Sequence, residues 1–177
     1  MRKDAARNHE AILTAAIDVL GRAPQASMRE IAEASGIGRT TLYRHFADRR
    51  ALVSAIHAHV AGEADAISRA ALGEHDDPVE VLAGLAADLA ALGDRYRFLE
   101  HTAETRPAAE RDADGEERLR RYVAFHQQAG GLRGDLDPQW VLEAFGALVT
   151  AAARAATGDG VDRLRMLRRT LRILLAP

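Results

Sequence analysis

Six residues in one short stretch carry groups that suit a polyanion: Arg39, Thr40, Thr41, Tyr43, Arg44 and His45. They bring guanidinium, hydroxyl, phenol and imidazole donors, and no acid stands among them. A short helix dressed with such groups fits a DNA groove, where base edges and phosphates offer acceptors. The surrounding segment, Ser27 to Phe46, reads SMREIAEASGIGRTTLYRHF and predicts a helix, a sharp turn and a second short helix.

The elements that must position these groups follow from local chemistry. Ser27 and Glu30 have capping-box spacing, in which each residue satisfies an amide of the other. The helix they start runs through Ile31 and Ala32 to Ser35. Gly36 stands where the chain must turn, and glycine adopts a positive φ without steric cost. Gly38 or Arg39 opens the next helix, and Leu42 and Phe46, four apart, share one face of it. Ile31, Ile37, Leu42 and Phe46 are expected to close a small core, with Ala32 letting the helices cross closely. A preceding helix over about Asp4 to Leu20 presents Ile12, Leu13, Ala16, Ile17 and Leu20 at helical spacing, stopped by Gly21 with Pro24 shortly after. Arg2, Lys3 and Arg7 at its start are read as a solvated, frayed terminus. Asp48 caps a long fourth helix from about Arg49 to Leu72, and Arg49 falls at its first turn, where a phosphate could meet open amides.

The segment from about Asn8 to Leu52 resembles the DNA-binding domain of the TetR family of bacterial transcriptional repressors. HEAILTAAIDVL, MREIAEASGIGRTTLYRHF and DRRALV carry the resemblance, and Leu42-Tyr43-Arg44-His45-Phe46 followed by Asp48 and Arg49 is its most specific part. The resemblance implies an all-α protein of about nine helices. Residues 1–50 would form a three-helix helix-turn-helix DNA-binding head, and residues 51–177 a helical bundle for ligand binding and dimerisation. It further implies that Arg39, Thr40 and Arg44 read bases, arginine by bidentate bonds to guanine. Thr41, Tyr43, His45 and Arg49 match positions that hold phosphates and fix register. Ser27 and Arg29 would touch a phosphate from the start of the second helix. For Tyr43 and His45 the residues also allow a half-buried ring closing the core and an ordinary surface histidine.

Composition is compatible with this reading. Apolar residues make up 47% of the 177, there are only five prolines, and alanine, leucine and arginine are abundant, as helices favour. The net charge of −2 by itself argues against a nucleic-acid binder, but its distribution is uneven. Residues 1–50 hold nine Lys and Arg against six acids, and residues 51–177 hold fifteen against twenty. A basic head on an acidic body is the expected footprint. The absence of cysteine excludes disulfides, zinc fingers and thiol catalysis, and fits a cytoplasmic protein. The longest stretch without a charged Asp, Glu, Lys or Arg, Ala51 to Gly62, is too short for a membrane span, which needs about 20 apolar residues. MRKDAARNHE is read as carrying no export signal.

Beyond residue 72, Gly73 to Asp77 is expected to be a break. Asp77-Pro78-Val79-Glu80 is a helix start, with Leu82, Leu85, Leu89 and Leu92 on one stripe, ended by Gly93-Asp94. A short helix over about Arg95 to Thr105, a polar link at 106–115 and a helix over about Glu116 to Ala129 follow. Asp137-Pro138 starts the next helix, and the last carries Leu164, Leu167, Leu171 and Leu174 at coiled-coil-like spacing. The last two helices carry apolar or small residues on more faces than one monomer core needs. With the resemblance, this implies a homodimer through them, matched to a palindromic double-stranded DNA operator. The resemblance also implies a small-molecule inducer site within the bundle. Phe98, His101, Thr102, Tyr122, Phe125, His126 and Trp140 are the candidates, and Tyr122 with His126, one turn apart, is the favoured pair. The function this supports is a ligand-responsive repressor released from its operator by a small molecule, with no catalytic residues, metal or cofactor. Two alternatives stay open: a constitutive DNA-binding protein without an inducer, and a helical-bundle metal-dependent enzyme. The enzyme would use His101 and Glu104 with Glu100 or His126. The sequence lacks the phosphate-loop, nucleophile-elbow and HExxH motifs.

Overall fold

The computed structural model describes residues 2–72, 77–102, 113–155 and 160–177. These form eight α-helices and one short 3₁₀ helix, with no strand among the described residues. The helices are α1 (Arg2–Arg22), α2 (Met28–Ser35), α3 (Arg39–His45), α4 (Arg49–Ala71), α5 (Pro78–Arg95), α6 (Ala113–Gln128), α7 (Pro138–Arg154) and α8 (Gly160–Leu175), and the 3₁₀ helix is Arg97–His101. The fold is all-helical, as the sequence predicts. Of the breaks expected at 73–77 and 106–115, residues 73–76 and 106–112 lie outside the described residues, as do Glu104, Gly158 and the side chains of Arg2, Lys3 and Arg7, whereas residues 113–115, expected in the link, open α6. Among the described residues no helix is long and apolar enough to cross a membrane.

The chain divides into two compact units, Met1–Ala61 with Tyr96–Ala109, and Gly62–Arg95 with Glu110–Pro177. In the first, α1 packs on α2, α2 on α3, and α1 on the 3₁₀ helix. Its core holds Ile12, Leu13, Ala16 and Leu20 from α1, Ile31 and Ala32 from α2, and Leu42 and Phe46 at α3. Leu52, Val53 and Ile56 join them from the first turns of α4. Ile17 and Ile37, expected in this core, are only partly buried. The α2 start is a complete capping box: the Ser27 amide donates to Glu30 Oε2 at 2.7 Å and the Glu30 amide to Ser27 Oγ at 3.3 Å. Gly36 ends α2 at φ 71°, the left-handed conformation that a Cβ disfavours.

In the second unit α5 is central, packing against both α7 and α8, with α6 laid on α7. Its core joins Val79, Leu82, Leu85, Val123, Leu132, Val141, Phe145, Leu167, Leu171 and Leu175. Asp137 caps α7 by accepting from the Gln139 and Trp140 amides at 2.8 and 3.2 Å, ahead of Pro138 at the first helical position.

Three local expectations are corrected. Gly93 does not end α5, which runs to Arg95; a Cβ there would lie 3.4 Å from that of Ala153, so the glycine permits close approach of α7. Of the helix expected over 95–105, the described residues form a 3₁₀ helix of five residues, Arg97–His101. The buried stripe of α8 ends on Leu175, not Leu174, because an i, i+4 step follows Leu171 in a straight helix within one monomer core. Leu174 is left 40% exposed.

Two measurements check this account. Gly36→Ala is expected to lower unfolding stability by about 1–2 kcal/mol in urea titration, because alanine must hold the left-handed conformation. The Ser27 hydroxyl and amide hold the Glu30 carboxyl below the ordinary glutamate range, so its folded pKa lies below its unfolded one. The ionic part of the capping box is then present above the unfolded pKa and is lost as pH falls through the folded one. Wild type is expected to show a higher urea midpoint than Glu30→Gln at neutral pH. The difference closes once the pH drops below the ordinary glutamate range.

Candidate nucleic-acid interface

Helix α3 has two faces with different work. Leu42 is fully buried and Phe46, just past its end, is 3% exposed, so this face is anchored in the core. Arg39, Thr40, Tyr43 and Arg44 are exposed on the remainder, with Thr41 and His45 half-buried. No acid stands in the first turn, and Arg44 and His45 occupy the last turn, where positive charge complements the helix dipole. Gly38 opens the helix without a side-chain cap. The His45 ring lies 5.7 Å from that of His9 on α1, and His9 lies 5.0 Å from Phe46, so α1 packs an aromatic edge against the end of α3. Tyr43 is 45% exposed, so a large part of its side chain is open to solvent.

The flanking candidates sit differently. Ser27 Oγ is occupied in the capping box, donating to Glu30 Oε2 at 2.6 Å. Arg29 is exposed and pairs with Glu33 one turn on, at 3.7 Å. Arg49, expected at a phosphate, makes contacts within the protein. Its Nε donates to the Ala26 carbonyl at 2.9 Å and its Nη2 to the Pro24 carbonyl, so the guanidinium ties the α1–α2 loop to α4. Sequence reasoning missed this contact, because the partners are backbone carbonyls more than twenty residues away. A cation at a helix N-terminus, where the dipole disfavours it, is the one local signal.

The structure divides the ligand candidates between the two units. Phe98, His101 and Thr102 fall in the first. Phe98 is a 7% exposed core ring, its centroid 6.2 Å from that of Tyr96. The His101 carbonyl accepts from Gln25 Nε2, and the Thr102 hydroxyl donates to the Leu99 carbonyl at 2.9 Å. Tyr122, Phe125, His126 and Trp140 fall in the second. The rings of Tyr122 and His126 are 4.4 Å apart, and Phe125 stands edge-on to His126 at 5.1 Å. Tyr122 Oη is buried with no hydrogen-bond partner among the described residues. Burial first, and then the negative charge of Asp77, push the Tyr122 phenol up. Burial pushes the His126 imidazole down. Phe125 and Trp140 are 65% and 63% exposed. Of the metal candidates, His101 and Glu100 fall in the first unit and His126 in the second. Among the described residues no three potential ligands are grouped to hold a metal ion.

Comparison with known proteins bears on this geometry. Residues 12–56, which run from the second half of α1 through the first turns of α4, match the family model for bacterial regulatory proteins of the tetR family. The chain is 32% identical over 165 residues to the HTH-type transcriptional repressor LfrR of Mycolicibacterium smegmatis, covering 89% of this chain and 82% of that protein. The fold is similar to that of the fatty acid degradation regulator FadR from Bacillus halodurans, with a TM-score of 0.74 at 16% identity over 92% of this chain and 93% of that one. It is also similar to a gamma-butyrolactone receptor described as ArpA-like, with a TM-score of 0.71 at 19% identity over 98% and 90%. A helix-turn-helix whose second helix carries no acid, and a relative matched along most of both chains, lead to one assignment: the chain belongs to the tetR family of bacterial regulatory proteins, which bind DNA and regulate transcription.

Proposed function

We propose that this regulator is a homodimeric repressor, released from a palindromic operator by a small molecule. The observation that carries the reading is the division of α3: Leu42 and Phe46 are spent on the core, and Arg39, Thr40, Tyr43 and Arg44 are left outward. Arg39, Thr40 and Arg44 read base edges. Thr41, Tyr43 and His45 hold phosphates, with Ser27 and Arg29 beside them at the start of α2. LfrR is itself named a repressor, which supports the sign of regulation. Residues 1–50 do the DNA work and residues 51–177 bind ligand and dimerise. Dimerisation through α7 and α8 is supported by what they leave outward: Trp140 on α7, and Met166, Ile173 and Leu174 on α8, from 40% to 71% exposed. Exposed Gly146, Ala147 and Ala151 add a close-approach face on α7.

Within the second unit, Tyr122 and His126 are the strongest ligand contacts. An orphaned buried hydroxyl beside an imidazole gives a ligand two polar partners in an apolar wall. Ligand and DNA then oppose each other through linkage: each lowers affinity for the other by the same factor, about 5–150-fold for typical couplings. The named ligand of the gamma-butyrolactone receptor supports a small organic effector as a class.

Two experiments test this. Wild type and Arg44→Ala are titrated against duplex DNA from beside the protein's own gene over a range of salt. Specific, salt-steep binding to a palindrome is expected, weakened in the variant by about 1–3 kcal/mol with relaxed preference at one base position. Binding without sequence preference, unchanged by the substitution, would remove α3 from the interface. Tyr122→Phe removes a buried hydroxyl that has no partner, so its unfolding midpoint is expected to hold or rise. A compound found to raise the melting temperature of wild type is expected to lose that effect on the variant.

A further inference from the structure

Helix α2 begins where a loop with little regular structure ends. Residues 23–26 hold together by one turn, the Ala26 amide donating to the Ala23 carbonyl at 2.9 Å. The next residue, Ser27, opens the capping box. The direction in which α2 leaves this loop sets the direction of α3, because only Gly36, Ile37 and Gly38 separate the two helices. The Gln25 side chain donates to the His101 carbonyl, and the carbonyls of Pro24 and Ala26 are two further fixed points of that loop. Both accept from the Arg49 guanidinium, Ala26 from Nε and Pro24 from Nη2.

Arg49 is well placed to act as an anchor. It is half-buried at the first position of α4. The helix start behind it is fixed by Asp48, whose Oδ1 accepts from the Ala51 amide at 2.7 Å. Leu52, Val53 and Ile56 lock the same turns into the core, all at 1% exposure or less. The guanidinium is planar and carries its donors in a rigid fork, so two bonds from one group fix an orientation as well as a distance. A single ammonium on a flexible stem lacks that fork.

From this geometry we infer that Arg49 is a positioning residue for DNA recognition: it presents α3 to the groove by clamping the loop that aims α2, and it does not neutralise a phosphate. This rests on the α3 reading above. It assigns Arg49 a different duty from the phosphate contact its sequence position suggests, and the two duties separate experimentally. A phosphate contact is a point charge that lysine can supply, and each one lost lowers the salt slope by about one per head. A fork that aligns a loop is not replaced by lysine, and its loss leaves the slope alone.

The test uses the full chain, wild type, Arg49→Lys and Arg49→Gln. An operator duplex is selected by the wild-type protein from a random library. Binding is titrated against salt well below each variant's melting temperature. Amide hydrogen exchange is followed in the same proteins without DNA. Both variants are expected to bind about tenfold more weakly, the loss of one charge-assisted hydrogen bond. Arg49→Gln should keep the wild-type salt slope. Exchange should accelerate at Glu30 and Ile31 and stay unchanged at the α4 core amides. A lost hydrogen bond that only lowered global stability would leave the affinity of the folded protein unchanged. A lower slope in Arg49→Gln with full affinity in Arg49→Lys would overturn the inference in favour of a phosphate contact. Unchanged affinity in both variants, or unchanged exchange at Glu30 and Ile31, would overturn it as well. If the wild type selects no operator, the α3 reading fails, while the exchange measurement still decides whether Arg49 holds the loop.

Discussion

A helix of seven residues cannot hold itself together in water, and the first unit is arranged around that fact. Isolated helices shorter than about 12–15 residues are marginal. Helix α3 has seven, opens on a glycine without a side-chain cap and includes two threonines, a tyrosine and a histidine. Each of those four costs up to about 0.7 kcal/mol in helix propensity. Full burial of Leu42 and near-full burial of Phe46 contribute about 1.5–3 kcal/mol apiece, enough to outweigh that cost. The conformation of α3 is therefore imposed by the wall it leans on. That wall is built from Ile12, Leu13, Ala16 and Leu20 of α1, Ile31 of α2, and the first turns of α4.

The second unit solves a different problem, that of packing helices tightly with few large side chains. Ala83, Ala86 and Ala90 line α5 between its leucines, and Gly93 meets Ala153 at the far end. Small residues at a crossing let backbones approach and let the leucines of α8 interlock. Charged straps run along the outside: Arg172 bonds both Asp77 and Glu80, and Arg168 bonds Glu80. Burial pushes Asp77 up, yet the Arg172 bond and the amides of Val79 and Glu80 together hold it below the ordinary range. Pairs this exposed contribute at most about 1 kcal/mol each, so they set the register of α8 against the α5 start more than they stabilise it.

What could be read from the sequence was local. The capping box, the left-handed Gly36, the Asp137-Pro138 start and the anchoring pair Leu42 and Phe46 all follow from contacts within about five residues. What could not be read depended on partners far along the chain. Gly93 looks like a helix stop until Ala153 is seen beside it. Leu174 and Leu175 are indistinguishable until one face of α8 is occupied. Arg49 resembles a phosphate contact because its two carbonyl partners carry no side-chain signature. The ligand candidates share residue type, and type alone does not show that Phe98, His101 and Thr102 sit in one unit and Tyr122, Phe125, His126 and Trp140 in the other.

The separation of duties on α3 bears on how such proteins diverge. Because Leu42 and Phe46 are the buried anchors of the helix, its exposed positions can drift with little penalty to folding. A duplicated gene could exchange Arg39, Thr40 or Arg44 for other side chains and acquire a new genomic address while keeping the same scaffold. The reading surface is in this sense a replaceable label on a separate mount, and regulators of this architecture can multiply within one genome without each having to solve the folding problem again.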